Sequence, residues 1–161
     1  MSANKLQRVV AMDSMVLVWG VRKSGTREDI KRARFLFMEL EQAEAQIIIP
    51  SIVVAEFITP IRTSEEQART VAAMSERFFI APFDAMDAVL AAELWNAGKS
   101  RREMGKPGAR VCLRADALIV ATAKNHGAKE FFTNDDACFR MAESVMTARR
   151  LPNMAPDLFS Q

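Results

Sequence analysis

At 161 residues, half apolar and 26% charged, the chain has the length for one domain with a sizeable core and lies outside the compositions of disordered, collagen-like and coiled-coil proteins. Its longest uncharged apolar stretches, 47–55 and 117–123, fall short of the ~18–20 residues a membrane-crossing helix needs. The start, Met1-Ser-Ala-Asn-Lys5, leads into no clean apolar region with a cleavage site, so a cytoplasmic protein is expected.

Arg8–Met12 reads as a buried strand with Asp13 at its C-terminal end. After a loop at 22–25, Thr26 and Asp29 form a capping box for a helix whose apolar face is Ile30, Ala33, Phe37, Leu40 and Ala43. Gln46–Pro50 is a β-branched strand, and Ser51 is expected to cap a short helix that carries Glu56 and ends before Pro60. The spacing Ser64-Glu-Glu-Gln67 predicts a capped helix to about Arg77, and Phe78–Ala81 a short strand. Asp84 caps a helix to about Asn96, and Gly98–Gly108 reads as a loop or broken helix. Leu113–Asn125 is a helix closed by His126-Gly127, and Glu130–Phe132 a further strand. Strands alternating with helices predict a parallel α/β sheet in a single domain over 1–161, with its core from about 8 to 150.

Two cysteines, Cys112 and Cys138, each in apolar context, and a single histidine, His126, argue against a disulfide framework, a Cys- or His-rich zinc site and Ser/His/Asp hydrolysis. The net charge of +2 conceals a basic segment: Lys99, Arg101, Arg102, Lys106, Arg110 and Arg114 stand against Glu103 alone. Taken alone such a run is a solvated loop; beside a nucleic-acid site it would track phosphates.

Three carboxylates interrupt apolar runs: Asp13 after Val-Val-Ala-Met, Glu56 in Val-Val-Ala-Glu-Phe-Ile, and Asp116 in Ala-Asp-Ala-Leu-Ile-Val. A desolvated carboxylate needs a base or a cation, and Arg114 is the only base within two residues of any of them. Asp135-Asp136 follows the strand Glu130–Phe132 directly. In a parallel sheet all strand C-termini share one edge, so Asp13 and Asp135 emerge together and Glu56 and Asp116 lean in from flanking helices. Hard oxygen donors without Cys or His select Mg²⁺ or Mn²⁺, ions suited to phosphodiester displacement. Asp84 and Asp87, by contrast, begin a helix and are explained as caps.

Four motifs in this order, Met12-Asp13-Ser14, Val54-Ala55-Glu56, Ala115-Asp116-Ala117-Leu118-Ile119 and Thr133-Asn134-Asp135, with their acids 43, 60 and 19 residues apart, resemble the PIN-domain nucleases. Within that family the chain is most similar to the toxin ribonucleases of VapBC-type toxin–antitoxin pairs. The resemblance implies a three-layer α/β/α fold, Mg²⁺- or Mn²⁺-dependent RNA cleavage, homodimers and a small cognate antitoxin. It implies Asp13, Glu56, Asp116 and Asp135 as metal ligands, with Asp136 as a further candidate and the hydroxyls of Ser14 and Thr133 near the metal. The chain departs from the family after Asp135, where an acid two residues on and an aromatic three on are common: here Asp136 is adjacent, Ala137 follows, and Phe139 is four on. A phosphatase of the haloacid-dehalogenase type would need an acid where Met15 stands. The alternative that keeps every acid is a PIN-like binding module for RNA or protein without turnover.

Overall fold

A computed structural model of the protein describes residues 7–99 and 109–153. Strand β1, Val9–Met12, is followed by a one-turn helix α1, Ser14–Leu17, a π-helical turn over Val18–Arg22, and helix α2, Arg27–Gln42. Then come β2, Gln46–Pro50, α3, Ser51–Ile58, α4, Ser64–Arg77, and β3, Phe79–Ala81. Helices α5, Ala85–Lys99, and α6, Ala109–Asn125, precede β4, Glu130–Phe132, α7, Asp136–Glu143, and β5, Thr147–Arg149.

The five strands form one all-parallel sheet in the order β3-β2-β1-β4-β5. The apolar runs explain it, because a parallel sheet is covered on both faces and wants continuous hydrophobic strands. Val10, Ala11, Met12, Ile48, Ile49 and Phe131 are wholly buried. Strand order moves outward from β1 through β2 to β3, then returns past β1 to β4 and on to β5. Right-handed crossovers therefore put α1 to α4 on one face and α5 to α7 on the other, the three-layer arrangement that the family resemblance implied. The reversal of order lies between β1 and β4, where open α/β sheets bind ligands at the carboxyl ends of their strands. Among the described residues no helix is long and apolar enough to cross a membrane.

The caps differ in detail from their expected places. Thr26 caps α2 as expected, accepting from the Asp29 N–H at 3.1 Å. Helix α4 is capped by Thr63 rather than Ser64, the Thr63 hydroxyl accepting from Glu66 N–H at 3.2 Å. Helix α3 has Pro50 at its cap position and no side-chain cap, so Ser51 lies one residue inside. Helix α6 begins at Ala109, a turn before the expected start, and α5 runs on to Lys99. The expected loop falls mostly on 100–108, outside the described residues.

The turn after α1 closes the chain tightly behind Asp13. Gly20 packs against the Phe37 ring, and Gly25, at φ +136°, packs against the Trp19 indole, so that a Cβ at either position would run into an aromatic ring. Arg22 at the end of this turn donates to the Phe57 carbonyl and stacks 4.4 Å from the Phe57 ring centroid, joining the segment after Asp13 to α3. At Gly25 a side chain would meet both a steric clash and a backbone region that L-residues avoid, together costing ~1–3 kcal/mol. Gly25→Ala should lower the melting temperature, at ~2–4 °C per kcal/mol for a domain of this size, as followed by circular dichroism; an unchanged melting temperature would mean that the turn relaxes around the methyl group.

Candidate metal centre

Strands β1 and β4 are hydrogen-bonded neighbours with Met12 opposite Phe132, so Asp13 and Thr133 leave the sheet side by side. The Asp13 N–H continues the ladder by donating to the Phe132 carbonyl at 3.2 Å. One Asp13 carboxylate oxygen caps α1 by accepting from Val16 N–H at 3.1 Å, and the other accepts from the Thr133 hydroxyl. Thr133, itself wholly buried, in turn accepts from the Asp135 N–H at 3.0 Å. Asp135 caps α7 by accepting from Cys138 N–H at 2.8 Å. Two helices thus start from acids at the ends of adjacent strands, and one threonine holds the two starts together.

Glu56 lies on α3, directly after the neighbouring strand β2, and is exposed; Asp116 lies in the first half of α6 and is half-buried. The other acids act on Asp116, and Asp135 acts on Asp13. Burial above all, then the charges of Asp135, Asp13 and Glu56, push the Asp116 carboxyl up to about 7. Burial likewise pushes Asp13 up to about 6, opposed by its hydrogen bonds from Thr133 and Val16 and reinforced by Asp135. Among the described residues the forces on both groups are desolvation, hydrogen bonds and other carboxylates.

The remaining candidates fall elsewhere. Asp136, with its side chain 77% exposed, pairs with Arg150 at 2.6 Å, and Arg150 also stacks on Phe139. Ser14 opens α1 beside Asp13 and is half-buried. Of the basic segment, Arg101, Arg102 and Lys106 lie outside the described residues, and Lys99 and Arg110 are described by backbone alone. The Arg114 guanidinium lies 5.1 Å from the Trp95 ring centroid, two residues before Asp116 on α6.

Cys138 is a free thiol buried on α7, and burial above all, with the charges of Asp116, Asp13 and Asp135, raises it well above the ordinary range.

A different group, Asp84, Asp87 and His126, brings three potential ligand atoms within 4.8 Å of one another. Its geometry follows from helix capping. Asp84 accepts from Met86 and Asp87 N–H at 2.8 and 3.0 Å, Asp87 accepts from Asp84 N–H at 3.0 Å, and Asn125 donates to Asp87 at 2.9 Å. His126 is ten residues beyond Asp116 on the α6 line, ~15 Å at helical rise, so this group is separate from the four acids.

The profile of the PIN domain family matches residues 10–144. The chain belongs to the PIN-domain family. Its fold is similar to that of VapBC2 from Rickettsia felis, solved bound to a DNA fragment from their promoter, at TM-score 0.63 and 17% identity over 89% of this chain and 99% of that one. VapBC-1 from nontypeable Haemophilus influenzae matches at TM-score 0.63 and 15% identity, covering 89% and 98% of the two chains. FitAcB from Neisseria gonorrhoeae matches at TM-score 0.56 and 19% identity, covering 86% and 95%. At these identities the likeness concerns fold. No curated protein sequence matches the chain.

PIN domains are generally nucleases that use divalent metals. The acid group of this PIN domain suits such an ion: its charged donors are all carboxylate oxygens, and burial makes the charges of Asp13 and Asp116 harder to hold without a cation.

The raised carboxyls fix the sign of the pH dependence. The folded state keeps the Asp116 proton to about 7, whereas an unfolded chain releases it near ~3.9. Stability from this group is therefore full below the lower value and is lost as pH rises through the upper one. In EDTA the melting temperature should fall between pH 5 and pH 8. Asp116→Asn should raise it by several degrees at pH 8 and flatten the slope. A wild-type melting temperature that climbs over this interval, or a mutant less stable at pH 8, would contradict the electrostatic account.

Proposed function

We propose that this PIN domain is a divalent-metal-dependent endoribonuclease that hydrolyses RNA phosphodiester bonds and acts as the toxin of a toxin–antitoxin pair. The observation that carries the reading is the joining of Asp13 and Asp135 through the Thr133 hydroxyl at the carboxyl edge of the sheet, with the charges of Asp135, Asp13 and Glu56 acting on Asp116. Those four residues would hold Mg²⁺ or Mn²⁺. Asp136 is left out of the set because Arg150 already neutralises it. A bound divalent ion supplies activation of a water and stabilisation of the leaving oxygen in an in-line displacement.

The chain's own contribution is placement. Thr133 fixes the Asp13 carboxylate through its hydroxyl and receives the Asp135 N–H, so both acids share one orienting group. Ser14 would offer a second hydroxyl beside Asp13. The basic residues from Lys99 to Arg114 precede the Asp116 turn and would track the RNA backbone across the mouth of the site. The fold shared with the VapBC and FitAcB proteins supports a small antitoxin as partner. A homodimer acting in the cytoplasm completes the reading.

The test is incubation of a mixed structured and single-stranded RNA pool with purified protein in Mg²⁺, Mn²⁺ or EDTA, beside Asp13→Asn prepared identically. Discrete products with either metal, absent in EDTA and reduced at least ~100-fold in the mutant, are expected. Folded, antitoxin-free protein that cleaves nothing under any metal would favour an RNA- or protein-binding module with the acids retained.

A further inference from the structure

We propose that Arg150 is a substrate-binding residue of this centre, its guanidinium holding an RNA phosphate beside the Asp135 end of the acid group. The inference rests on the ribonuclease reading and adds a cation that the basic segment from Lys99 to Arg114 does not contain.

An acidic edge poses a difficulty for a polyanionic substrate. One divalent ion leaves Asp13, Glu56, Asp116 and Asp135 with excess negative charge, and Asp136 adds a further carboxylate next to them. Phosphates flanking the cut therefore need a cation fixed at the rim.

The carboxyl end of β5 supplies one. Phe132 lies in register with Arg149, so Arg150 leaves β5 where Thr133 leaves β4. The Thr133 N–H donates to the Arg149 carbonyl at 3.0 Å, and the Leu151 N–H donates to the Asn134 side chain at 3.1 Å. The backbone on both sides of Arg150 is thus bonded to the two residues that precede Asp135. Arg149 reaches back to Glu130 at the start of β4, whereas Arg150 reaches forward to Asp136 at the start of α7.

The guanidinium is held without being saturated. It lies 4.2 Å from the Phe139 ring centroid, and Asp136 accepts one hydrogen bond from it at 2.6 Å. A guanidinium carries five N–H donors in a rigid fork that matches a phosphate. The Arg150 side chain is 40% exposed and that of Asp136 77%, and an ion pair this open to water contributes little to stability. What the arrangement provides is a cation of fixed place and orientation, open to solvent and anchored beside a proposed ligand.

The experiment follows binding of a labelled single-stranded RNA by fluorescence anisotropy in EDTA over a series of salt concentrations, and KM and kcat for its cleavage in Mn²⁺. Wild type is compared with Arg150→Gln, Arg150→Lys and Asp136→Asn, with melting curves for each. Arg150→Gln should bind ~10-fold more weakly, with a salt slope smaller by ~0.7, and should raise KM more than it lowers kcat. Arg150→Lys keeps the charge and should retain the slope. Asp136→Asn breaks the same ion pair while leaving the guanidinium on Phe139, and should bind at least as tightly as wild type. Unchanged affinity and slope in Arg150→Gln would overturn the contact. So would Arg150→Gln and Asp136→Asn weakened alike, since that pattern belongs to the structure of the loop. Wild-type protein that neither binds nor cuts RNA would overturn the ribonuclease reading first and the role of Arg150 with it.

Discussion

The hydrogen bond from the Thr133 hydroxyl to Asp13 joins the carboxyl ends of β1 and β4, the two strands between which the sheet reverses its order. Most of what surrounds the acids follows from that juncture. With Met12 in register with Phe132, the next residues of both strands must leave the sheet at the same height and side by side. Each exit is turned at once into a helix by an aspartate cap, Asp13 for α1 and Asp135 for α7. Capping leaves each aspartate with lone pairs to spare, so the residues that stop the strands also serve as charged groups at the edge.

The chain treats its acids at the two ends of β4 in opposite ways. At the strand's start Glu130 receives both Arg8, at 2.7 Å, and Arg149, and these hydrogen bonds, Arg8 first, lower its carboxyl. That triad ties β1, β4 and β5 together across the sheet. At the strand's end Asp13 and Asp116 meet burial and further carboxylates, and their carboxyls rise instead. Stability is given up at one end of a strand and secured at the other, a pattern expected where a site must stay open to a cation.

Much of this was legible in the sequence, for identifiable reasons. Strands β1 and β2 announce themselves as β-branched runs, and α2 through its Thr26 cap and apolar stripe, because these are local signals. The segment after Asp13 is different. Ser14–Leu17 and the following π turn have no helical periodicity, and their cap is the acid itself, so the turn is fixed by Phe37, Trp19 and Phe57 from elsewhere. Strand β5 is Thr-Ala-Arg, three residues at a sheet edge with no apolar alternation, and only pairing with β4 defines it. Helix α7 is short and departs from the family pattern directly after Asp135, with Ala137 where an acid is common and Phe139 one place late. The acids could be picked out because a carboxylate in an apolar run is anomalous on its face.

The strand order also sets when the acids can meet. Strands β1, β2 and β3 lie within the first half of the chain and pair with their neighbours across modest loops, whereas the β1–β4 pairing closes a loop of more than a hundred residues. Such a closure is the slow, entropically expensive step in a parallel sheet. Asp13 waits at the free end of a central strand until β4 arrives from the far part of the sequence. A growing chain on the ribosome, or a truncated one lacking the last quarter, therefore carries Asp13, Glu56 and Asp116 without the Thr133–Asp135 segment that orders them. The charged edge is therefore completed only after the segment that carries β4 has been made.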